Sequence, residues 1–219
     1  MRATSYIKYF RLGETSYREK VKYYEDNYDL VQHLYFDDKV DIDMDYIQSL
    51  FEIGRYDRFL SKVDTILEVI IMENIYEFKG ENIFNDLLFK KAACLFHNGN
   101  YDEAKNVLRQ LIKIDASNYT ALALYKICKR KETSDFSVII KAFVNASLLI
   151  VISIYIGRIF LIEAFFDQYM GFFVSLSYFL LGFSAFVFIG YEVYFNASMY
   201  KETGLSSFRV LNRVFYKKR

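Results

Sequence analysis

Residues 168–191 read QYMGFFVSLSYFLLGFSAFVFIGY, a run without one charged side chain. A helix needs about 20 apolar residues to cross the hydrocarbon core of a bilayer. The stretch therefore predicts a transmembrane helix. A second apolar run lies just upstream, from Ala142 to Gly157 and on through residues 159–162. Residues 163–167, beginning with Glu163 and ending with Asp167, join the two. Together they predict a two-span helical hairpin over residues 136–196, preceded by a soluble domain, 1–135, and followed by a tail, 197–219.

The charges around the hairpin predict its orientation. Lys126, Lys129, Arg130, Lys131 and Lys141 precede the first span, and the tail carries six basic side chains against Glu202. Only Arg158 lies near the connecting loop. Basic residues collect on the cytoplasmic side of a membrane, so both termini are expected there. Arg158 and Glu192 lie near span ends rather than centres, which favours anchoring over ion conduction. Lys141 and Glu192 come to similar depth and are expected to pair. Ala142, Ala146, Ser153 and Gly157 share one face of the first span; Gly171, Ser175, Gly182 and Ala185 share one face of the second. Small faces permit close helix packing and leave a homo-oligomer through the hairpin open. In the tail, Phe208, Leu211 and Phe215 alternate with Arg209, Arg213 and Lys217 as an interfacial helix on an anionic leaflet would.

The net charge of +1 hides a segregation: residues 25–57 carry ten acidic side chains against Lys39 and Arg55. Such a block suits a basic partner or plain solubility. The start, MRATSYIKYFRLGETS, has no apolar stretch of signal-peptide length, so the soluble part is expected to stay unexported. Cys94 and Cys128 have no CxxC and no His cluster beside them, which reads as reduced core thiols.

Apolar periodicity in the soluble part is helical throughout. Tyr17, Val21, Tyr24, Tyr28, Val31 and Tyr35 recur at spacings of four and three, one face of a helix, with Ser16 and Glu19 as a capping box. The polar stretch DDKVDIDMD, residues 37–45, separates it from a second helix around Tyr46–Ile53. A third pattern runs from Asp57 toward Phe78, where Gly80 stops it. Ile83–His97, Tyr101–Ile114 and Asn118–Lys131 give three more. Residues 52–57, EIGRYD, and 97–102, HNGNYD, place the same Gly-x-Tyr-Asp between amphipathic helices. Glycine permits a left-handed turn at a helix end, and Asp is expected to cap the next helix. Recurring helix–Gly–helix units mark a helical solenoid.

Residues 85–118 resemble a tetratricopeptide repeat. The match runs through Leu88, Ala92, Leu95, Gly99, Tyr101, Ala104, Leu108 and Leu111, with Lys91 where Leu is usual and Ala116 where Pro is usual. Residues 40–73 match through Ile47, Leu50, Gly54, Tyr56, Val63 and Ile66, with Phe59 in place of the small residue. A third unit begins at Tyr119. The resemblance implies an all-α protein-interaction module that holds a protein or peptide in a concave groove. By position, the groove-lining residues are Gln48, Phe51, Glu52, Phe89, Lys90, Phe96 and His97.

Other chemistries find less support. Asp41, Asp43, Asp45 and Glu52 have the spacing of positions 1, 3, 5 and 12 in a calcium-binding EF-hand loop. Tyr46 stands where that loop needs Gly, so an acidic helix-capping loop is expected instead and no metal is assigned. No glycine pattern for nucleotides and no nucleophile motif is present in the sequence. His33 and His97 have no catalytic neighbours in sequence. No cofactor, no catalytic residue and no nucleic-acid partner is therefore assigned. The expected function is a membrane-anchored scaffold that recruits a protein partner to the cytoplasmic face. The alternative is an effector whose hairpin oligomerises into a pore under control of the repeats.

Overall fold

A computed structural model describes residues 7–13, 16–75, 77–78, 80–158 and 167–205. Within these residues the chain is helical, apart from one two-residue ladder. In order come α1 (Tyr17–Asp26), α2 (Tyr28–Gln32), α3 (Phe36–Glu52), α4 (Tyr56–Met72), β1 (Glu77–Phe78), β2 (Glu81–Asn82), α5 (Ile83–His97), α6 (Tyr101–Ile114), α7 (Tyr119–Glu132), α8 (Ser134–Gly157) and α9 (Met170–Thr203). The chain divides into two compact units, Met1–Cys128 and Lys129–Arg219.

In the first unit, α1 packs on α3, α3 on α4, α4 on α5 and α5 on α6. The core draws on Ile42, Ile47 and Leu50 from α3, Phe59 and Val63 from α4, Leu87 and Ala92 from α5, and Ala104, Leu108 and Leu111 from α6, all nearly without exposure. The turns that fold α3 onto α4 and α5 onto α6 are the same device. Gly54 N–H donates to Phe51 O (3.0 Å) and Arg55 N–H to Leu50 O (2.9 Å). Gly99 N–H donates to Phe96 O (3.1 Å) and Asn100 N–H to Leu95 O (2.9 Å). Both are Schellman endings, and both glycines have the positive φ that the motif requires, 76° and 80°. The aspartates that follow do not cap: the positions before α4 and α6 are Arg55 and Asn100, with no side-chain cap bond. Asp57 and Asp102 sit within the first turn, where a negative charge favours the helix N-terminus.

Three expectations for this unit are corrected. The single helix over Tyr17–Tyr35 breaks at Asn27, whose side-chain amide donates to Tyr23 O (2.9 Å) and competes with the helix ladder. Tyr35 lies outside the stripe and is exposed, and Ser16 makes no side-chain cap bond. Residues 37–45 are not a loop: they form the first half of α3. Asp37 and Asp38 occupy its first turn, where the helix dipole welcomes them, and Ile42 and Met44 bury the inner face. Finally, the helix after Asp57 ends at Met72 rather than Phe78. Asn74 adopts the left-handed conformation (φ 53°) and Ile75 N–H returns to Ile70 O (3.0 Å), a third Schellman ending built on Asn instead of Gly. The freed residues make the antiparallel ladder Glu77–Asn82 and Phe78–Glu81, and Asn82 then caps α5 by accepting from Asn85 N–H (3.0 Å).

Polar groups fix α1 on α3. Lys20 and Asp45 are each 3% exposed and meet at 2.8 Å. The hydroxyl of buried Tyr9 donates to the same carboxylate at 3.2 Å. Beside them Tyr24 donates to Asp43 (2.7 Å) and its ring stacks on Tyr46, centroids 3.7 Å apart. Burial raises the Tyr9 and Tyr24 hydroxyls well above their usual range. Burial also raises the Asp43 carboxyl, while the bond from Tyr24 pulls it partly back.

In the second unit α8 and α9 pack on each other, and both are long and apolar enough to cross a membrane. The ring pairs Phe136–Tyr191 (5.9 Å) and Phe143–Phe183 (6.0 Å) set an antiparallel register. The seam is made by Ile140, Ser147 and Val151 against Ser177 and Ser184. Two of these pairs, Ile140/Ser147 and Ser177/Ser184, are seven residues apart, the repeat that keeps two helices facing each other along a left-handed crossing. The serine hydroxyls bond back to their own helices, at Phe143 O, Phe173 O and Leu181 O (2.8–3.0 Å). The small faces expected to pack the hairpin point elsewhere: Ala142, Ala146, Ser153, Gly171, Ser175, Gly182 and Ala185 are exposed, because the serine seam occupies the crossing. At 34 residues, α9 is about 51 Å long against a hydrocarbon core of about 30 Å. It continues past residue 196 to Thr203, ending at Gly204 with φ 73°. The amphipathic tail read over residues 206–219, and the connecting residues 159–166, lie outside the described residues.

The Lys20–Asp45 pair carries a stability prediction. Asp45→Ala leaves a buried ammonium without its partner, at a cost of about 3–5 kcal/mol. Replacing both by apolar residues of similar volume (Lys20→Met with Asp45→Leu) should recover most of that loss in urea unfolding followed by circular dichroism. If Asp45→Ala is as stable as the parent, the pair does not hold α1 in place.

Candidate functional site

The groove residues inferred from the repeats fall on α3 and α5. Gln48, Phe51 and Glu52 lie on α3; Phe89, Lys90, Phe96 and His97 lie on α5. The structure brings some of them together. The Lys90 ammonium stands 5.6 Å over the Phe51 ring and pairs with Asp86 at 2.8 Å. Lys90 is buried, so this cation–π contact is largely desolvated and worth more than a surface one. His97 stacks on Tyr56 of α4 at 4.8 Å, and Phe96 meets Tyr101 at 5.5 Å. Phe51 also touches Tyr56 and Phe59, at 6.0 and 5.8 Å. Glu52 and His97 are exposed; Gln48, Phe51, Phe89 and Phe96 are half-buried. This face offers aromatic edges, one held cation and two exposed polar groups. Tyr56 and Asp86 belong to it and escaped the sequence reading. Each acts across a distance in sequence or in a pairing that a groove position does not reveal.

A second cluster joins α1 to the turn before α4. Glu25 accepts from Tyr46 (3.4 Å) and Arg55 (3.3 Å) and also pairs with Arg58. The acidic block is thus partly neutralised by the two arginines that flank its end.

The calcium geometry does not form. Asp41, Asp43, Asp45 and Glu52 lie on one continuous helix, where side chains spread around the axis instead of wrapping a point. Asp45 is committed to Lys20 and Tyr9, and Asp43 to Tyr24. Among the described residues no group of three or more His, Cys, Asp or Glu side chains gathers as a metal would require. Cys94 and Cys128 are buried and unbridged, and burial pushes their thiols up to about 12 and about 11. Neither has thiolate character at neutral pH. His33 Nδ1 lies 2.6 Å from Asp29 O.

In the second unit the expected Lys141–Glu192 pair is replaced. Glu192 takes Arg130 at 3.0 Å, and Lys141 is exposed. The Arg130 guanidinium also covers the Phe195 ring at 5.2 Å. Further along α9, Lys129, buried, contacts Glu202 at 2.5 Å and donates to Ser198 at 2.8 Å. The physical reason is reach: an arginine immediately ahead of the hairpin has the planar fork a carboxylate prefers, and it stacks as well. A cleft of about 980 Å³ opens beside these pairs. Phe136, Ile139 and Phe143 of α8 and Phe183, Val187 and Tyr194 of α9 make its walls. Lys129, Glu132, Asp135 and Ser198 stand at one end. No sequence signal marked the cleft, because it depends on the register of the two helices.

Titration calorimetry of the purified chain with calcium should therefore show no binding in the micromolar range. A micromolar site that Asp43→Ala abolishes would contradict the helical placement of these carboxylates.

The chain matches no protein-family model, no curated protein and no solved structure.

Proposed function

We propose that the chain is a membrane-anchored adaptor: a tetratricopeptide-like domain recruits a protein partner, and the α8–α9 hairpin holds it at the cytoplasmic face. The observation that carries the reading is the repeated Schellman turn. Two helix pairs close through Gly54 and Gly99 with identical bonding offsets. The small residues that let such helices approach, Ala92 and Ala104, have no exposure. The face bearing Phe51, Lys90 and His97 then lies where a bound segment would run, with Glu52 and His97 reachable from solvent. No catalytic role is proposed for any of these groups.

In this reading α8 and α9 span the bilayer, and Glu192 marks where α9 leaves it. The residues from there to Thr203 extend on the cytoplasmic side, with Glu192 and Glu202 meeting Arg130 and Lys129. These pairs neutralise two of the basic residues counted for orientation, leaving Lys126, Lys131 and Lys141 to set it. A second reading, a hairpin that oligomerises into a pore, draws on the exposed small faces of both helices. Leakage of vesicles on reconstitution, lost when the hairpin is replaced by an unrelated one, distinguishes it; an adaptor tolerates the swap.

Topology is tested by single cysteines, with Cys94 and Cys128 buried and contributing little background. Ser61→Cys should resist a membrane-impermeant thiol reagent until the cytoplasmic side is opened, and Gln168→Cys should react in intact membranes. The reverse pattern contradicts the orientation.

The groove is tested against the core. Ala104→Leu forces extra methylenes into a closed helix crossing and should cost about 1–3 kcal/mol. Glu52→Gln with His97→Ala should leave the melting temperature within about 2 °C of the parent, as surface changes do, and reduce recovery of the bound partner in a pulldown. If the exposed pair unfolds the domain and Ala104→Leu is silent, the repeat register is wrong.

A further inference from the structure

The turn between α5 and α6 carries a reactive dipeptide. Asn98–Gly99 is the only asparagine–glycine step in the sequence. Both residues are exposed, and Gly99 has a φ of 80°. Glycine has no Cβ to shield its amide nitrogen. That nitrogen can therefore reach the side-chain carbonyl carbon of the asparagine before it and close a cyclic imide. The bond from Gly99 N to Asn98 Cγ forms, the Cγ–Nδ2 bond breaks, and the amide leaves as ammonia with the proton from Gly99. Water then opens the ring. Hydrolysis at Cγ gives aspartate. Hydrolysis at the backbone carbonyl gives isoaspartate, with the chain running through Cγ. The matching turn at Gly54 follows Ile53 and has no such chemistry.

Both reacting groups are held in the folded turn. Asn98 Nδ2 donates to Asp57 Oδ1 of α4 at 2.8 Å, and Gly99 N–H donates to Phe96 O at 3.1 Å. The first bond fixes the side-chain amide; the second occupies the proton that the attacking nitrogen must lose. Ring closure thus needs a local opening, of the kind that exposed helix ends undergo without global unfolding. The products do not fit the turn that made them. Aspartate replaces a donor by a second carboxylate opposite Asp57. Isoaspartate adds a methylene to the backbone between Leu95 and Asn100, whose 2.9 Å bond closes the Schellman ending. Either product loosens the end of α5 from α4, beside His97 on its stack with Tyr56.

We infer that Asn98 is a self-modification site, converted to aspartate and isoaspartate in the folded protein at a rate governed by its hydrogen bond to Asp57. The chemistry does not depend on the adaptor reading. Under that reading it is a one-way timer on the groove edge that carries His97.

The full chain in detergent micelles is incubated at mildly alkaline pH, folded or unfolded in urea. It is then digested at acid pH and mapped by tandem mass spectrometry, with isoaspartate identified by its carboxyl methyltransferase. Asn98 should convert before any other asparagine of the folded chain, and several-fold more slowly than in urea. Asp57→Ala should speed conversion of Asn98 several-fold and leave the other asparagines at their parent rates. Asp57→Asn keeps an acceptor for Nδ2 and should stay near the parent. Survival of Asn98 in the folded chain over the time in which the unfolded chain converts completely overturns the inference, as does earlier conversion of another asparagine. A folded rate equal to the unfolded one, or an Asp57→Ala chain that behaves as the parent, removes the control assigned to Asp57 and overturns it too. Equal acceleration of every asparagine in Asp57→Ala does the same, since Asp57 would then hold the whole domain rather than this turn.

Discussion

A charge taken out of water must meet its opposite, and both units are organised around pairs that satisfy this. In the first, Lys20 and Asp45 are almost fully buried at 2.8 Å, with Tyr9 completing the carboxylate's coordination. The pair ties α1 to α3, residues far apart in sequence, in one relative position. An apolar contact of equal area would be more tolerant of sliding, because hydrophobic burial is non-directional. In the second unit, Arg130–Glu192 and Lys129–Glu202 do the same for the start and end of the hairpin. Glu192 is the first charge of a helix that is uncharged from Met170 to Tyr191, and its arginine makes that charge tolerable.

Elements with strong local punctuation were legible from the sequence. The bounds of α5 and α6 follow from Gly99 between two amphipathic patterns, and α7 differs from its expected span by one residue at either end. The hairpin helices follow from composition. What was not legible depends on partners elsewhere. Residues 37–45 look like a loop because they are rich in aspartate, and they are helical because Lys20 and Tyr24 neutralise or bond two of those aspartates from another helix. The end of α4 was misplaced because Asn74, rather than a glycine, takes the left-handed turn. The serine seam of the hairpin was passed over in favour of alanine and glycine faces, since periodicity alone offers several faces and only the antiparallel register selects one.

The candidate groove was legible as a set of positions, though not as an arrangement. Phe51 and Lys90 do meet across α3 and α5, yet His97 is engaged by Tyr56 from α4, which repeat position did not mark. The cleft in the second unit had no sequence signature, because its walls come from both helices at matched depth. At its polar end Lys129 was read from sequence only toward orientation, and Glu132 and Asp135 carried no reading there. Lys129 and Arg130 thus bear both on orientation and on helix pairing.

The central claim is that the α8–α9 hairpin integrates this chain into a bilayer and carries the helical unit with it. Alkaline carbonate extraction of membranes from expressing cells tests it most directly, comparing the full chain with one ending at residue 133. The full chain should remain in the membrane pellet and the shortened one should be released to the supernatant; release of the full chain would contradict the account.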